Sequence, residues 1–264
     1  MKLTALVGQA NSGKDTVAGY FVNNHNFVQV ALADPLKRLG SKVFEFTEEQ
    51  LWGPSEYRNA LDPRYKYFDK NRGSDAMWAK AAHNLGLYGR DWVKTVLSGH
   101  SKGEREDAHA RLVQWFNWLG HNYPELSPRI MLQTLGTEWG REVVDEDIWV
   151  NYMLTAATVL SAHHPDMTYT RVGGFVPKKG ANHGGVVVSD VRFNNELKAI
   201  KAFGGELIQV QRPATDAAAT ATGIAQHKSE TEQQGFDSSK FDKVIKNDGT
   251  LEDLENAVDS YVQS

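Results

Sequence analysis

The sequence predicts an α/β protein, with a central sheet of five parallel strands between layers of helix and a largely helical insertion. Three observations lead there. Short apolar runs alternate with helical patterns at the N-terminus, in the order strand, helix, strand, helix, which calls for parallel strands joined by crossovers. The same alternation returns after residue 185 and closes the chain. A glycine-rich loop lies between the first strand and the first helix. With 264 residues, 41% of them hydrophobic, a substantial core is within reach, and one large domain over residues 1–264 accommodates the pattern.

Leu3–Val7 is an apolar run that stops at Gly8, as a buried strand does. A helix is expected from Thr16 to about Asn24, with Val17, Ala18, Tyr20 and Phe21 available to one face. Phe27–Leu32 is the second strand, and a helical pattern follows through Leu36, Leu39 and Val43. The insertion, about residues 45–165, is rich in Trp, Tyr, Arg and Gly, with polar breaks at Asp62–Asp75 and Ser98–Asp107. Within it helices are expected from Pro128 to about Gly136 and from about Trp149 to Leu160. Tyr169–Gly185, with five glycines and two lysines, is a loop or hairpin. Val186-Val187-Val188 is a buried strand, and Glu196–Phe203 a helix ended by Gly204-Gly205. Leu207–Gln211 and Phe241–Lys246 complete the sheet, with the first strand expected in its middle. Thr250 caps a closing helix carrying Leu251, Leu254, Ala257, Val258 and Tyr261.

Composition removes several functions. The net charge of −4 and pI near 6.1 argue against a general nucleic-acid binder, though a local basic cleft for phosphate is compatible with them. The absence of cysteine excludes disulfides, thiolate metal sites and thiol nucleophiles. No stretch has the length of a membrane span or of a signal-peptide core, so a soluble cytoplasmic protein is expected. His163-His164 are adjacent rather than helically spaced, which does not make a metal-binding face, and no G-x-S-x-G element is present.

Gly8-Gln9-Ala10-Asn11-Ser12-Gly13-Lys14-Asp15-Thr16 has the spacing G-x-x-x-x-G-K between a strand and a helix. Glycines let the backbone curl until several N–H groups converge on one anion, and the helix N-terminus adds its partial positive charge. Lys14 then reaches the β- and γ-phosphates of a nucleotide. Asp15 stands where Ser or Thr normally offers a hydroxyl to Mg²⁺; Thr16 lies one place later, and either can serve the ion, Asp15 through water.

With GQANSGKDT at 8–16, LADPLK at 32–37, RIMLQTLGTEWGR at 129–141, IW at 148–149, VVSDVRFNNE at 188–196, IQVQRP at 208–213, HKSE at 227–230 and IKNDGTLEDL at 245–254, the chain resembles the deoxynucleoside monophosphate kinases of tailed bacteriophages. These belong to the NMP-kinase group of P-loop proteins. The resemblance spans nearly the whole chain, except 52–125, and implies the three-layer P-loop kinase fold. It implies ATP as phosphoryl donor, held by Gly8, Asn11, Ser12, Gly13, Lys14, Asp15 and Thr16, with Mg²⁺ served by Asp15, Thr16 and Asp190. Asn247 lies where related kinases pass backbone beside adenine, although Asn247-Asp248-Gly249 would also make an ordinary turn. The acceptor monophosphate falls to Asp34, Lys37, Arg38, Arg129, Gln133, Gly136, Thr137, Trp149, Asp190, Arg192 and Glu196. Arg129 can hold its phosphate bidentately and Gln133 can meet a base edge. Ile130 is apolar where a second basic residue is expected, which shifts part of that grip to Arg141 or Arg192. The alternative roles are a capped and solvated helix start for Asp34, Lys37 and Arg38, core for Trp149, and a cap on the following helix for Asp190. The implied lid covers about residues 212–235, with Arg212, His227 and Lys228 as its cations.

The expected reaction converts ATP and a deoxynucleoside monophosphate to ADP and the diphosphate, with Lys14, Asp15, Arg129, Asp190 and Arg192 as catalytic groups. Partners are small nucleotides, with neither nucleic acid nor membrane, and a homodimer is compatible with the sequence. If phage-encoded, the enzyme would work in the host cytoplasm. Two alternatives remain at this level: a kinase for another small acceptor such as dephospho-coenzyme A, and a nucleic-acid-stimulated P-loop ATPase.

Overall fold

Lys2–Val7 (β1) buries every residue but Lys2, because both faces of this strand are covered. In the computed structural model, which describes residues 2–9, 11–65, 76–162, 166–181, 183–213, 236 and 238–263, β1 is the middle strand of five. The others are Phe27–Val30 (β2), Gly185–Val188 (β5), Glu206–Gln211 (β6) and Lys243–Lys246 (β7), in the order β2-β5-β1-β6-β7. All four pairings are parallel, with Ala5 opposite Val188, Val7 opposite Gln209 and Gln211 opposite Lys246. Five parallel strands, with β1 central, are the sheet expected from the sequence.

The chain divides into two compact units, one formed by Met1–Leu32 with Met153–Ser264 and the other by Ala33–Tyr152. In the first, Lys14–His25 (α1) and Leu251–Val262 (α10) cover one face of the sheet. Leu6, Val187, Ile208, Val210 and Ile245 meet Val17, Phe21, Leu254 and Val258 there. The alternation of a strand puts Thr4 on the same side as Leu6, where its hydroxyl hydrogen-bonds Tyr261 of α10 at 2.9 Å. On β1 residues of the other parity, Leu3 approaches Ile200 of Asn194–Ala202 (α9) over Gly205, where a Cβ would lie 2.7 Å from Ile200.

The second unit is helical: Asp34–Val43 (α2), Glu48–Trp52 (α3), Ser55–Asn59 (α4), Ala76–Val96 (α5), Lys102–Asn122 (α6) and Pro128–Thr134 (α7). Its core is aromatic, with Phe44 in ring contact with Phe46, Tyr65, Trp78, Trp115 and Phe116. Asp62, 2% exposed, ties the α4–α5 connection by accepting from Gln50 Nε2 at 2.9 Å and from Arg64 Nη2 at 2.7 Å.

Several expected boundaries move, each for a local reason. The second strand stops at Val30 rather than Leu32, since the Leu32 N–H turns to the Asp190 carboxylate at 2.8 Å. The last strand starts at Lys243, after a 3₁₀ turn at Ser238–Lys240. The polar stretch Ser98–Asp107 is mostly helix, because Ser101 and Glu104 form a capping box that starts α6 at Lys102. The helix expected to end near Gly136 continues as a π-helix over Leu135–Val144. Ile148–Ser161 (α8) follows it. Within Tyr169–Gly185 the hairpin alternative holds, as Met167–Thr170 (β3) and Gly174–Pro177 (β4) pair antiparallel.

Candidate functional site

Because all five strands run the same way, their carboxyl ends lie along one edge of the sheet, where ligands bind in such folds. Off that edge come Gly8–Lys14 after β1, Asp190 and Arg192 after β5, Arg212 after β6 and Asn247 after β7. The chain leaves β1 toward β2 on one side and returns through β6 and β7 on the other. The reversal places the glycine loop at the crevice.

The loop leaves no room for a side chain at Gly8 or Gly13. A Cβ on Gly8 would stand 2.5 Å from the Val210 carbonyl oxygen and 2.6 Å from Ser12 Oγ. Asn11 (φ 63°) and Gly13 (φ 96°) both take the left-handed conformation that curls successive N–H groups to one side. Ser12 N donates back to the Gln9 carbonyl at 3.2 Å. Gly13 is the N-cap of α1 and offers no side chain to the first-turn amides, which leaves those donors for an anion. The Ser12 hydroxyl is fully buried and has no hydrogen-bond partner among the described residues.

Lys14 opens α1, and its ammonium donates to the Gln9 carbonyl at 3.2 Å, across the mouth of the curl. Burial pushes its pKa below the ordinary lysine value, opposed by the Asp15 and Asp190 carboxylates and reinforced by the Arg192 guanidinium. Three of the other four expected catalytic residues, Asp15, Asp190 and Arg192, are therefore close enough to act on the charge of Lys14. Asp190 is held by the Leu32 N–H. Glu196, expected to face the crevice, is 4% exposed, and its carboxylate accepts from the backbone N–H of Arg192 at 2.7 Å and of Phe193 at 3.0 Å. It shapes the turn that carries Arg192. Thr16 and Arg212 are exposed. His227 and Lys228 lie outside the described residues.

Asn247 does more than its expected place beside a base requires. Its backbone N–H donates to the Gln211 carbonyl at 2.7 Å and its Nδ2 to the Ser12 carbonyl at 2.9 Å, so it fastens the end of β6 to the glycine loop.

The remaining expected residues lie in the helical unit. Asp34, fully buried, and Lys37, 8% exposed, stand on the first turns of α2. Trp52 joins them: its indole N–H points at Asp34 Oδ1 at 3.5 Å, and Lys37 Nζ lies 5.7 Å from its ring. No motif in the sequence marks Trp52. Arg38 donates to the Tyr152 hydroxyl and lies over its ring. Arg129, exposed on the first turn of α7, donates to the Asn59 side chain. Gln133 is half-buried one turn on. Gly136 and Thr137 fall in the π-helix, a form concentrated at functional sites. Trp149 is 5% exposed; its indole N–H donates to the Gly136 carbonyl at 2.9 Å, and its ring packs on Trp92 and Trp139. Arg141 pairs with Glu146 at 3.8 Å.

Magnesium fits the sheet-edge residues. Asp15 and Asp190 both act on the charge of Lys14, and an ion that keeps its waters and takes phosphate oxygens needs only one or two carboxylates. No group of three or more His, Cys, Asp or Glu arranged to hold a metal alone occurs among the described residues. Nor is any helix among them long and apolar enough to cross a membrane.

The sequence profile of the deoxynucleotide monophosphate kinase family matches residues 2–258. The deoxynucleotide monophosphate kinase of Enterobacteria phage T4 is 23% identical, over 96% of this chain and 95% of its own length. That of Escherichia phage RB69 is 24% identical over the full length of both. A protein of Acanthamoeba polyphaga mimivirus, 27% identical over all of this chain and 97% of its own length, carries the same name provisionally.

Proposed function

The chain belongs to the deoxynucleotide monophosphate kinase family, and on that premise we propose that it moves the γ-phosphoryl group of ATP to a deoxynucleoside 5′-monophosphate, with Lys14 and its loop as the donor site. The observation that carries this reading is the half-buried Lys14 at the mouth of an anion-binding curl, near enough to Asp15, Asp190 and Arg192 for each to act on its charge. Phosphoryl transfer asks the protein for positioning and charge neutralisation rather than a covalent intermediate. Lys14, released from Gln9, binds the β- and γ-phosphate oxygens, and Arg192 neutralises charge that grows on the group in transfer. Asp15, Thr16 or Asp190 would hold Mg²⁺, which would supply positive charge to the phosphate oxygens when bound.

The acceptor reading rests on the helical unit. Arg129 grips the phosphate, Gln133 meets the base, and Asp34, Lys37 and Arg38 complete the polar surround. Trp149 is the wall against which a 2′-hydroxyl finds no partner, because its only N–H is already spent on Gly136. A hydroxyl buried there unpaired costs about 1–3 kcal/mol, enough to favour deoxynucleotides.

The test is kcat/KM for dGMP, GMP, dTMP and dCMP with ATP, in the wild type and two variants. Arg129→Ala should raise KM for all four by a similar factor, because the phosphate is common to them. Gln133→Ala should change their ranking. Four unchanged values in Arg129→Ala would remove the acceptor assignment and leave the donor assignment standing.

A further inference from the structure

An anion-binding loop must turn its N–H groups inward, so its carbonyls point outward and need donors of their own. The Gln9 carbonyl receives the Ser12 N–H and Lys14 Nζ. The Ser12 carbonyl receives Asn247 Nδ2, at 2.9 Å, from a turn 235 residues away in the chain. The contact is tight on both sides: a Cβ on Gly13 would stand 2.3 Å from that same nitrogen. Asn247 is itself anchored by its backbone N–H on Gln211, so its side chain comes from a fixed point.

The consequence lies in the peptide that joins Ser12 to Gly13. It is trans, and in a trans peptide the C=O and N–H point in opposite directions. Gripping the Ser12 oxygen therefore aims the Gly13 N–H away from Asn247. Gly13, at φ 96° and without a Cβ, is the residue at which such a peptide can flip cheaply. A flipped peptide would present an oxygen where the phosphate needs a donor. We propose that Asn247 is a positioning residue for the phosphate loop, locking the Ser12–Gly13 peptide in its anion-binding orientation rather than serving by contact with the base. This rests on the donor-site reading of the loop and goes beyond it, since it gives the turn after β7 a task in phosphate binding.

Inorganic tripolyphosphate, which has no base, separates the two roles. Its dissociation constant, and those of ATP and dTMP, are measured by calorimetry for the wild type, Asn247→Ala and the isosteric Asn247→Asp, each checked for folding by thermal unfolding. Loss of the lock should weaken tripolyphosphate and ATP by the same factor, about five- to tenfold for one hydrogen bond, and leave dTMP unchanged. If Asn247→Ala does not fold, Asn247→Asp carries the test, since its carboxylate repels the Ser12 carbonyl without changing shape. A fall for ATP alone, with tripolyphosphate unchanged, would overturn the proposal and make Asn247 a base contact. Equal weakening of dTMP would overturn it in favour of a general structural role. Lys14→Ala is the control on the reading beneath: if it binds tripolyphosphate as the wild type does, the loop is not the donor site and the proposal falls with it.

Discussion

Lys14 is a half-buried charge whose surroundings disfavour it in the free protein and, on the proposed reading, suit it to an anionic ligand. Desolvation disfavours its protonated form, and Asp15 and Asp190 restore only part of the loss. On the proposed donor reading, a triphosphate would supply the missing negative charge and draw the ammonium from Gln9 to the ligand. Two outcomes follow at this scale. Lys14→Ala should fold, and its kcat should fall by about 10²–10³, the usual cost of one preorganised donor to a transition-state charge; turnover near the wild type would sink the donor assignment. The affinity for ATP should also fall as pH rises through the Lys14 pKa, because only the protonated form attracts phosphate. Since burial lowers that pKa, the fall should begin below 10.5, and Lys14→Ala should lack it. Affinity measured from pH 7 upward decides.

The elements of the helical unit depend on contacts that admit little change. Gly140 lies in the π-helix, where a Cβ would stand 2.4 Å from the Trp149 ring. Gly140→Ala should drive the indole from the Gly136 carbonyl and destabilise the protein by about 1–3 kcal/mol, the range for overpacking a filled core. Loss of near-ultraviolet circular dichroism from the tryptophans would accompany it, and an unchanged spectrum and melting temperature would contradict the packing described. The loop at Asp62 responds to acid. Burial would raise the Asp62 carboxyl, but hydrogen bonds from Arg64 and Gln50 more than offset this and hold its pKa below 3.8. A depressed carboxylate contributes stability that is complete above the unfolded value and is lost as pH falls through the folded one. Unfolding free energy should therefore drop below about pH 4, and Asp62→Asn should flatten that drop while costing about 1–3 kcal/mol at pH 7. An acid limb as steep in the variant would assign it to other carboxylates.

For the molecule as a whole, the proposed donor residues lie in the unit that contains the sheet and the expected acceptor residues in the helical one, Asp190, Arg192 and Glu196 apart. Amide exchange should respect that division. A non-hydrolysable ATP analogue alone should slow exchange across Asn11–Thr16 and at Asn247, and dTMP alone across α7 and the π-helix. The reverse pattern, or protection by dTMP confined to the sheet edge, would refute the assignment of the acceptor.

Sequence alone was sufficient for whatever is local or periodic. The apolar runs specify five strands, G-x-x-x-x-G-K specifies the curl before α1, and Thr250 specifies the start of α10. The succession of motifs was enough to point to the family that matches residues 2–258. It could not place what depends on distant partners. The capping box at Ser101 was legible, yet a polar stretch outweighed it; the π-helix has no propensity signature, and Leu135–Val144 follows an ordinary α-helical pattern. Glu196 as a backbone brace, Trp52 beside Asp34, Trp149 on Gly136 and Asn247 on Ser12 were decided by tertiary structure. Periodicity and motif spacing report which face a residue takes and which loop it stands on. Which acceptor a side chain's one donor will find is settled only when the chain brings residues as far apart as 12 and 247 within 2.9 Å.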